Sequence, residues 1–331
     1  MGPVGGRPRV FVSRLIPDAG LDPIRAACDA EIWTEELPPS RAELLRLVRG
    51  CDGILVLLSE RIDDELLDHA GPGLRVVSDY AVGYDNIDVA ACARRGIAVG
   101  NTPGVLTETT ADLAWALILA ASRRVGEGDR IVRAREWKTW GPQTLLGQDV
   151  HGATLGIVGF GRIGQAVARR AAGFGMPVVY HSRHRVAEEI ETALGARHLP
   201  LEELLATSDI VSINCALTTE TRGLIDAAAL GRMKPTAVLV NTARGPIVDQ
   251  AALAVALREG VIGAAGLDVT DPEPILPDDP LLDLDNCLIV PHIASATTAT
   301  RGRMAEMAAA NLLAGVRGEP LPTAVPPPDL G

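Results

Sequence analysis

Ten residues constrain this chain more than any others: Leu155-Gly156-Ile157-Val158-Gly159-Phe160-Gly161-Arg162-Ile163-Gly164. Leu155 to Val158 is a short apolar run of the kind that forms a buried strand. Three glycines follow in the spacing GxGxxG, and residues 165–172 have the composition of a helix. Strand, tight turn and helix in that order are the setting in which the glycine pattern has a physical meaning. Gly159 takes up the dihedrals of the turn, Gly161 lets the backbone approach a pyrophosphate, and Gly164 lets helix and strand lie close together. The first turn of the helix adds free N–H groups and the positive end of its dipole. The pattern points to a dinucleotide-binding turn, and the alternative is a glycine-rich turn in some other α/β protein.

With 331 residues the chain is long enough for about two domains. Its formal net charge of −11 speaks against a nucleic-acid partner, which requires a basic face. The five cysteines (Cys28, Cys51, Cys92, Cys215, Cys287) are scattered, without a CxxC or paired histidines. Neither a disulfide frame nor a metal site is expected, and a cytoplasmic setting is. No basic stretch followed by an apolar one opens the chain, and the most apolar segment, about Ala111 to Ala121, is too short to span a bilayer.

Residues 9–12, 54–58, 74–77 and 97–99 read as strands, separated by helical patterns at 40–48, 62–69 and 88–95, the first two capped by Ser40 and Asp63. Such alternation predicts a parallel sheet covered on both faces. Asn101-Thr102-Pro103-Gly104 is a candidate crossing point between domains. Residues 109–121 form a helix apolar nearly all round, either a core helix or a hinge. Two of the four tryptophans, Trp137 and Trp140, sit in a polar loop as an interface anchor or a local plug. Beyond Gly152, strands are expected at 178–180, 209–213, 237–240, 263–269 and 288–290. A last helix at 300–313 is expected to return to the first domain. The expected architecture is α/β: two Rossmann-like or flavodoxin-like parallel-sheet domains with an active-site cleft between them. Residues 1–103 plus 292–331 would bind substrate, and 104–291 would bind NAD(P).

In an NAD-binding fold, an acid at the tip of the second strand binds the ribose 2′-hydroxyl, about twenty residues past the glycines. That tip here is Tyr180-His181-Ser182-Arg183-His184-Arg185, with no carboxylate before Glu188. A guanidinium fork at Arg183 and a hydroxyl at Ser182 suit a 2′-phosphate. NADP(H) is therefore the expected cofactor, with NAD(H) tolerated, and a solvated basic loop is the alternative.

Three polar residues follow later strands: Arg244 after Val240, Glu273 after Val269 and His292 after Val290. An open α/β sheet places its ligand at such strand ends. Reducing a carbonyl by hydride requires a proton donor that works near neutral pH, which suits His292. A carboxylate beside an imidazole favours its charged form and fixes its orientation, the part given to Glu273. Arg244 can grip the carboxylate of a 2-oxoacid with two parallel hydrogen bonds. Singly, each has a bland alternative as a surface ion-pair, turn or loop residue.

Val82-Gly83-Tyr84-Asp85-Asn86-Ile87-Asp88, Asn101 to Gly104, Gly159 to Gly164, Asn241 to Gly245, Gly266 to Val269 and Pro291 to Ser295 resemble the D-isomer-specific 2-hydroxyacid dehydrogenases over nearly the whole chain. Within that family the chain is most similar to the glyoxylate/hydroxypyruvate reductases, in particular at residues 102–111, 268–274 and 311–320. The resemblance implies NADPH-dependent reduction of glyoxylate or hydroxypyruvate to glycolate or D-glycerate, with Arg244, Glu273 and His292 on the catalytic positions. It further implies that the backbone N–H groups of Val82 and Gly83 receive the substrate carboxylate and that Ser295 approaches the hydroxymethyl end of hydroxypyruvate. Trp140 resembles an aromatic that a neighbouring subunit contributes to the pocket, which implies a homodimer. The cofactor-binding set becomes Gly159, Phe160, Gly161, Arg162, Ile163, Gly164, Ser182, Arg183, His184, Arg185, Thr242, Ala243, Asp268, His292 and Ala294. One departure stands out, since members commonly carry Gly where this chain has Ala294. The alternatives are an NAD-dependent enzyme of the D-lactate or D-3-phosphoglycerate type, and a non-catalytic dinucleotide sensor like the corepressors built on this scaffold.

Overall fold

A computed structural model describes residues 6–327. The chain forms two units, one from residues up to Leu106 together with those from Ala296 onward, the other from Thr107 to Ser295. His292 to Ser295 therefore belong with the second unit, a few residues beyond the boundary expected from sequence.

In the first unit, β1 (Arg9–Val12), β2 (Asp29–Ile32), β3 (Gly53–Val56), β4 (Val76–Asp79) and β5 (Ala98–Gly100) form one parallel sheet in the order β2-β1-β3-β4-β5. Alternate residues of each strand serve opposite faces. Phe11, Ile54 and Val77 join a core with the helices Arg41–Leu47 and Asp64–Ala70, whereas Val10, Leu55 and Val76 face the helices Asp18–Ala27 and Thr298–Val316. Burial on both faces is why β3 and β4 are continuous buried runs. β2 is absent from the sequence expectation because it is an edge strand of sequence Asp-Ala-Glu-Ile without a buried residue. The helix Asp18–Ala27 is masked in sequence by its internal Pro23. The C-terminal helix returns to this unit, where Ser78 Oγ donates to the Ala308 carbonyl at 2.8 Å.

In the second unit, β6 (Leu155–Val158), β7 (Val178–His181), β8 (Ala196–His198), β9 (Ile210–Ile213), β10 (Val238–Asn241), β11 (Ala264–Leu267) and β12 (Cys287–Ile289) form a parallel sheet ordered β12-β11-β10-β9-β6-β7-β8. From β6 the chain first builds outward through β7 and β8, then crosses to the other side for β9 to β12. That reversal creates the switch point at which open α/β sheets bind ligands. Register aligns Val158, Ile213, Asn241, Leu267 and Ile289 along one edge, so every segment after these residues emerges together.

The helix Thr107–Ser122 is a core helix of this unit: Ala111, Ala114, Trp115 and Ile118 are buried with Leu155 and Val240, and Trp115 Nε1 donates to the Val167 carbonyl at 3.0 Å. The next helix, Val125–Arg133, was not apparent in sequence and buries none of its residues. Beyond it, Trp137 and Trp140 are 63% and 78% exposed, which rules out an internal plug. Among the described residues no helix is long and apolar enough to cross a membrane.

Candidate active site

The glycine turn begins where β6 ends. Gly159 has φ +93°, a left-handed backbone that favours glycine, and a Cβ on it would lie 2.4 Å from the Cys215 nitrogen. A Cβ on Gly164 would lie 2.2 Å from the Gly159 carbonyl oxygen, so the helix Arg162–Ala171 rises directly off the turn. Around Gly161 the opposite holds, with no atom within 4 Å of a would-be Cβ. That open cradle lies at a helix N-terminus whose first N–H groups have no intrahelical acceptor. The residues present therefore fit a pyrophosphate. Arg162 is exposed and Ile163 half-buried, while the Phe160 ring lies in the core, stacked on Tyr180 at 4.0 Å between centroids. Only the main chain of Phe160 belongs to the turn.

At the tip of β7, the Gly159 N–H donates to the His181 carbonyl at 2.8 Å, tying the two loops together. Ser182 Oγ donates to the His184 carbonyl at 2.7 Å, and Arg183 and His184 are exposed. Arg185 is engaged within the loop. Its guanidinium donates in parallel to both carboxylate oxygens of Glu191, at 2.8 and 2.6 Å, and Glu191 also accepts from the Tyr180 hydroxyl at 2.6 Å. The Arg185 and Tyr180 hydrogen bonds pull the Glu191 carboxyl down to about 2. Arg185 thus braces the loop, and the guanidinium at its exposed tip is that of Arg183.

Beyond β10 and β11 the chemistry-bearing side chains meet. Glu273 Oε2 lies 2.9 Å from His292 Nδ1, and Glu273 Oε1 accepts the Thr270 N–H at 3.2 Å. Burial pushes the Glu273 carboxyl up, but the imidazole, the Thr270 N–H and the Arg244 charge together hold it below its ordinary value. The His292 and Glu273 side chains are 30% and 39% exposed, accessible enough to meet a substrate. Arg244 reaches this place because Gly245 lies against the neighbouring loop, where a Cβ would sit 1.9 Å from the Thr270 carbonyl oxygen. Buried Asn241 shapes the turn before it, donating to the Arg244 carbonyl at 2.9 Å and accepting the Ala243 N–H at 3.0 Å. Thr242 Oγ1 is buried with no hydrogen-bond partner among the described residues, a polar atom that fits a bound group.

His292 has φ +51°, uncommon for a residue with a side chain. Asp268, 1% exposed, holds it there. Its carbonyl accepts the His292 N–H at 2.9 Å, and its two carboxylate oxygens accept the N–H groups of Ile293 and Ala294 at 2.6 and 3.0 Å. Burial keeps the Asp268 carboxyl above its ordinary value. The Asp268 oxygens thus clamp the histidine turn.

An imidazole–carboxylate pair, a neighbouring arginine and a glycine turn thus lie along one edge of the seven-stranded sheet. Residues 115–294 match the family described as D-isomer specific 2-hydroxyacid dehydrogenase, NAD binding domain. The chain belongs to the D-isomer specific 2-hydroxyacid dehydrogenase family. It is 55% identical to a glyoxylate reductase of Korarchaeum cryptofilum over 320 residues, 96% of each chain. A protein of Thermus thermophilus has a solved structure with a TM-score of 0.90 at 49% identity, covering 96% of this chain and 100% of that one. The NADPH-dependent glyoxylate/hydroxypyruvate reductase of Sinorhizobium meliloti, solved with NADP and malonate, matches with a TM-score of 0.86 at 34% identity over 97% of both chains. As a D-2-hydroxyacid dehydrogenase the chain is an NAD(P)-dependent oxidoreductase acting on CH–OH groups.

Several residues support these loops without standing among the site residues expected from sequence. Asn241, Gly245 and Glu191 act on backbone or on other side chains, and only the glycine carries a signal in sequence. Ala294 is buried and its N–H is bonded to Asp268, so a methyl group is accommodated at the departure from the family. Ser295 is half-buried and ends the second unit. In the first unit, the amide N–H groups of Val82 and Gly83 have no hydrogen-bond partner among the described residues.

Proposed function

We propose that this dehydrogenase reduces glyoxylate and hydroxypyruvate to glycolate and D-glycerate with NADPH, His292 supplying the proton. The observation that supports this most is the pair of His292 Nδ1 and Glu273 Oε2 at 2.9 Å beside Arg244. With Nδ1 turned to the carboxylate, Nε2 is the ring nitrogen left to present a proton to the carbonyl oxygen. Arg244 supports the growing negative charge on that oxygen and grips the oxoacid. The unpartnered N–H groups of Val82 and Gly83 receive the substrate carboxylate, and Ser295 faces the hydroxymethyl end of hydroxypyruvate. Gly159 to Gly164, with Thr242 and Ala243, hold the cofactor, and Ser182 and Arg183 meet its 2′-phosphate. The reduced nicotinamide, when bound, supplies the hydride.

The similarity to glyoxylate reductases supports the substrate, and the similarity to the NADPH-dependent Sinorhizobium meliloti enzyme supports the cofactor. The chain acts as a homodimer, with Trp140 reaching the partner's pocket. Its five cysteines, none joined in a disulfide, suit the reducing cytoplasm. Steady-state rates with NADPH and NADH against glyoxylate, hydroxypyruvate and pyruvate test the proposal. The expected outcome is the highest kcat/KM for NADPH with glyoxylate or hydroxypyruvate. Preference for NADH with pyruvate would replace it by the D-lactate type, and inactivity with every pair would favour a dinucleotide sensor.

A further inference from the structure

The peptide joining Val82 to Gly83 is held from behind. Asn101 Nδ2 donates to the Val82 carbonyl at 2.8 Å. Among the described residues, cis peptide bonds occur only before Pro272 and Pro274, so this peptide is trans and its C=O and N–H point in opposite directions. Fixing the Val82 carbonyl therefore aims the Gly83 N–H away from Asn101, and that N–H has no acceptor among the described residues.

Asn101 is itself immobilised. It is 8% exposed, its N–H donates to the Thr323 carbonyl at 3.2 Å, and its carbonyl accepts from Asn311 Nδ2 at 3.0 Å and Thr323 Oγ1 at 2.7 Å. Asn311 is fully buried in the middle of the helix Thr298–Val316, and its Oδ1 accepts the Thr323 N–H at 3.0 Å. A buried amide in an apolar helix face is costly unless its donors and acceptor are matched, and here the partners are the Asn101 carbonyl together with the Thr323 hydroxyl and N–H. The C-terminal helix and the segment after it thus anchor the side chain that donates to the Val82 carbonyl.

We propose that Asn101 is a positioning residue for the substrate carboxylate, aiming the Gly83 N–H through the Val82 carbonyl while Asn311 and Thr323 hold it in place. This rests on the reading that Val82 and Gly83 receive that carboxylate. In this role Asn101 never touches the substrate, and its effect falls on oxoacid binding while the cofactor and the proton donor are untouched.

The test compares Asn101→Ala and Asn101→Asp in the full chain. KM for glyoxylate should rise about 3- to 10-fold in both, the factor that one net hydrogen bond represents, with kcat and the Kd for NADPH changed less than about twofold. An ionised aspartate cannot donate to the Val82 carbonyl and a protonated one can. KM of Asn101→Asp should therefore fall back toward the wild-type value as the pH is lowered through the aspartate's own titration, about 4 for a free side chain, while that of Asn101→Ala should not. An unchanged KM in both variants, a loss confined to kcat, or the absence of recovery in Asn101→Asp would overturn the role of Asn101. The underlying reading is tested separately on the wild-type chain, labelled with ¹³C-valine and ¹⁵N-glycine. The Gly83 amide, assigned by its loss in Gly83→Ala, should shift when oxamate is added with NADPH. A shift there combined with unaltered Asn101 variants would refute only the positioning role, and no shift would refute the reading beneath it.

Discussion

Arg183 and Arg185 stand two positions apart on one loop and do different work. Arg185 commits both arms of its guanidinium to Glu191, whereas Arg183 is exposed at the tip. A charge-assisted contact contributes about 1.5–3 kcal/mol, equivalent to about 10- to 100-fold in affinity. Arg183→Ala should accordingly raise KM for NADPH by about tenfold or more and leave that for NADH nearly unchanged, as initial rates at varied cofactor will read out. An equal rise for both would remove the phosphate contact. The missing carboxylate at this tip was legible in sequence, because charge type alone distinguishes a site for a phosphate from one for a hydroxyl. The division of labour between the two arginines was not, because it depends on a carboxylate in the following helix. The same contrast applies to Arg244, Glu273 and His292, which residue type and strand-end position picked out. Asp268 and Asn241 could not be given their parts in that way, since they hold backbone N–H and C=O groups that carry no sequence signature.

At the scale of elements, Glu191 joins the tip of β7 to the helix Glu188–Leu194, accepting from Tyr180 on the strand and Arg185 on the loop. The Arg185 and Tyr180 hydrogen bonds pull its carboxyl down to about 2, below the roughly 4.3 of an unfolded chain. A depressed carboxylate stabilises the fold fully above the unfolded value and loses that contribution as pH falls through the folded one. Glu191→Gln should lower the urea midpoint at pH 7, and the gap to the wild type should narrow from about pH 4 downward. A gap independent of pH would show that the pair contributes by shape alone. Buried strands with apolar runs, such as β3, β6 and β10, were readable because two covered faces impose continuous hydrophobicity. The edge strands β2 and β8 are short and polar on their open side, so periodicity does not single them out. The helix Val125–Arg133 was hidden for a related reason, as none of its residues contributes to the core of the chain.

For the whole molecule, that helix matters because it leaves Val125 and Val132 more than half exposed, followed by the exposed Trp137, Trp140 and Leu146. A run of large apolar side chains of this kind suits the interface of the proposed homodimer. Sedimentation equilibrium should give twice the 34.8 kDa of one chain, and Val132→Glu should shift the equilibrium toward monomer. A monomeric wild type would remove Trp140 from the proposed pocket. The two parallel sheets and the glycine turn follow from patterns visible in the sequence, and residues 115–294 match the dehydrogenase family. The proposed reaction depends above all on His292 as proton donor. The most direct measurement is the turnover of glyoxylate at saturating NADPH by His292→Asn, a replacement chosen because Asn tolerates the left-handed backbone observed there. Turnover should fall by about 10²-fold or more while the affinity for NADPH is retained, and near-wild-type turnover would contradict the mechanism.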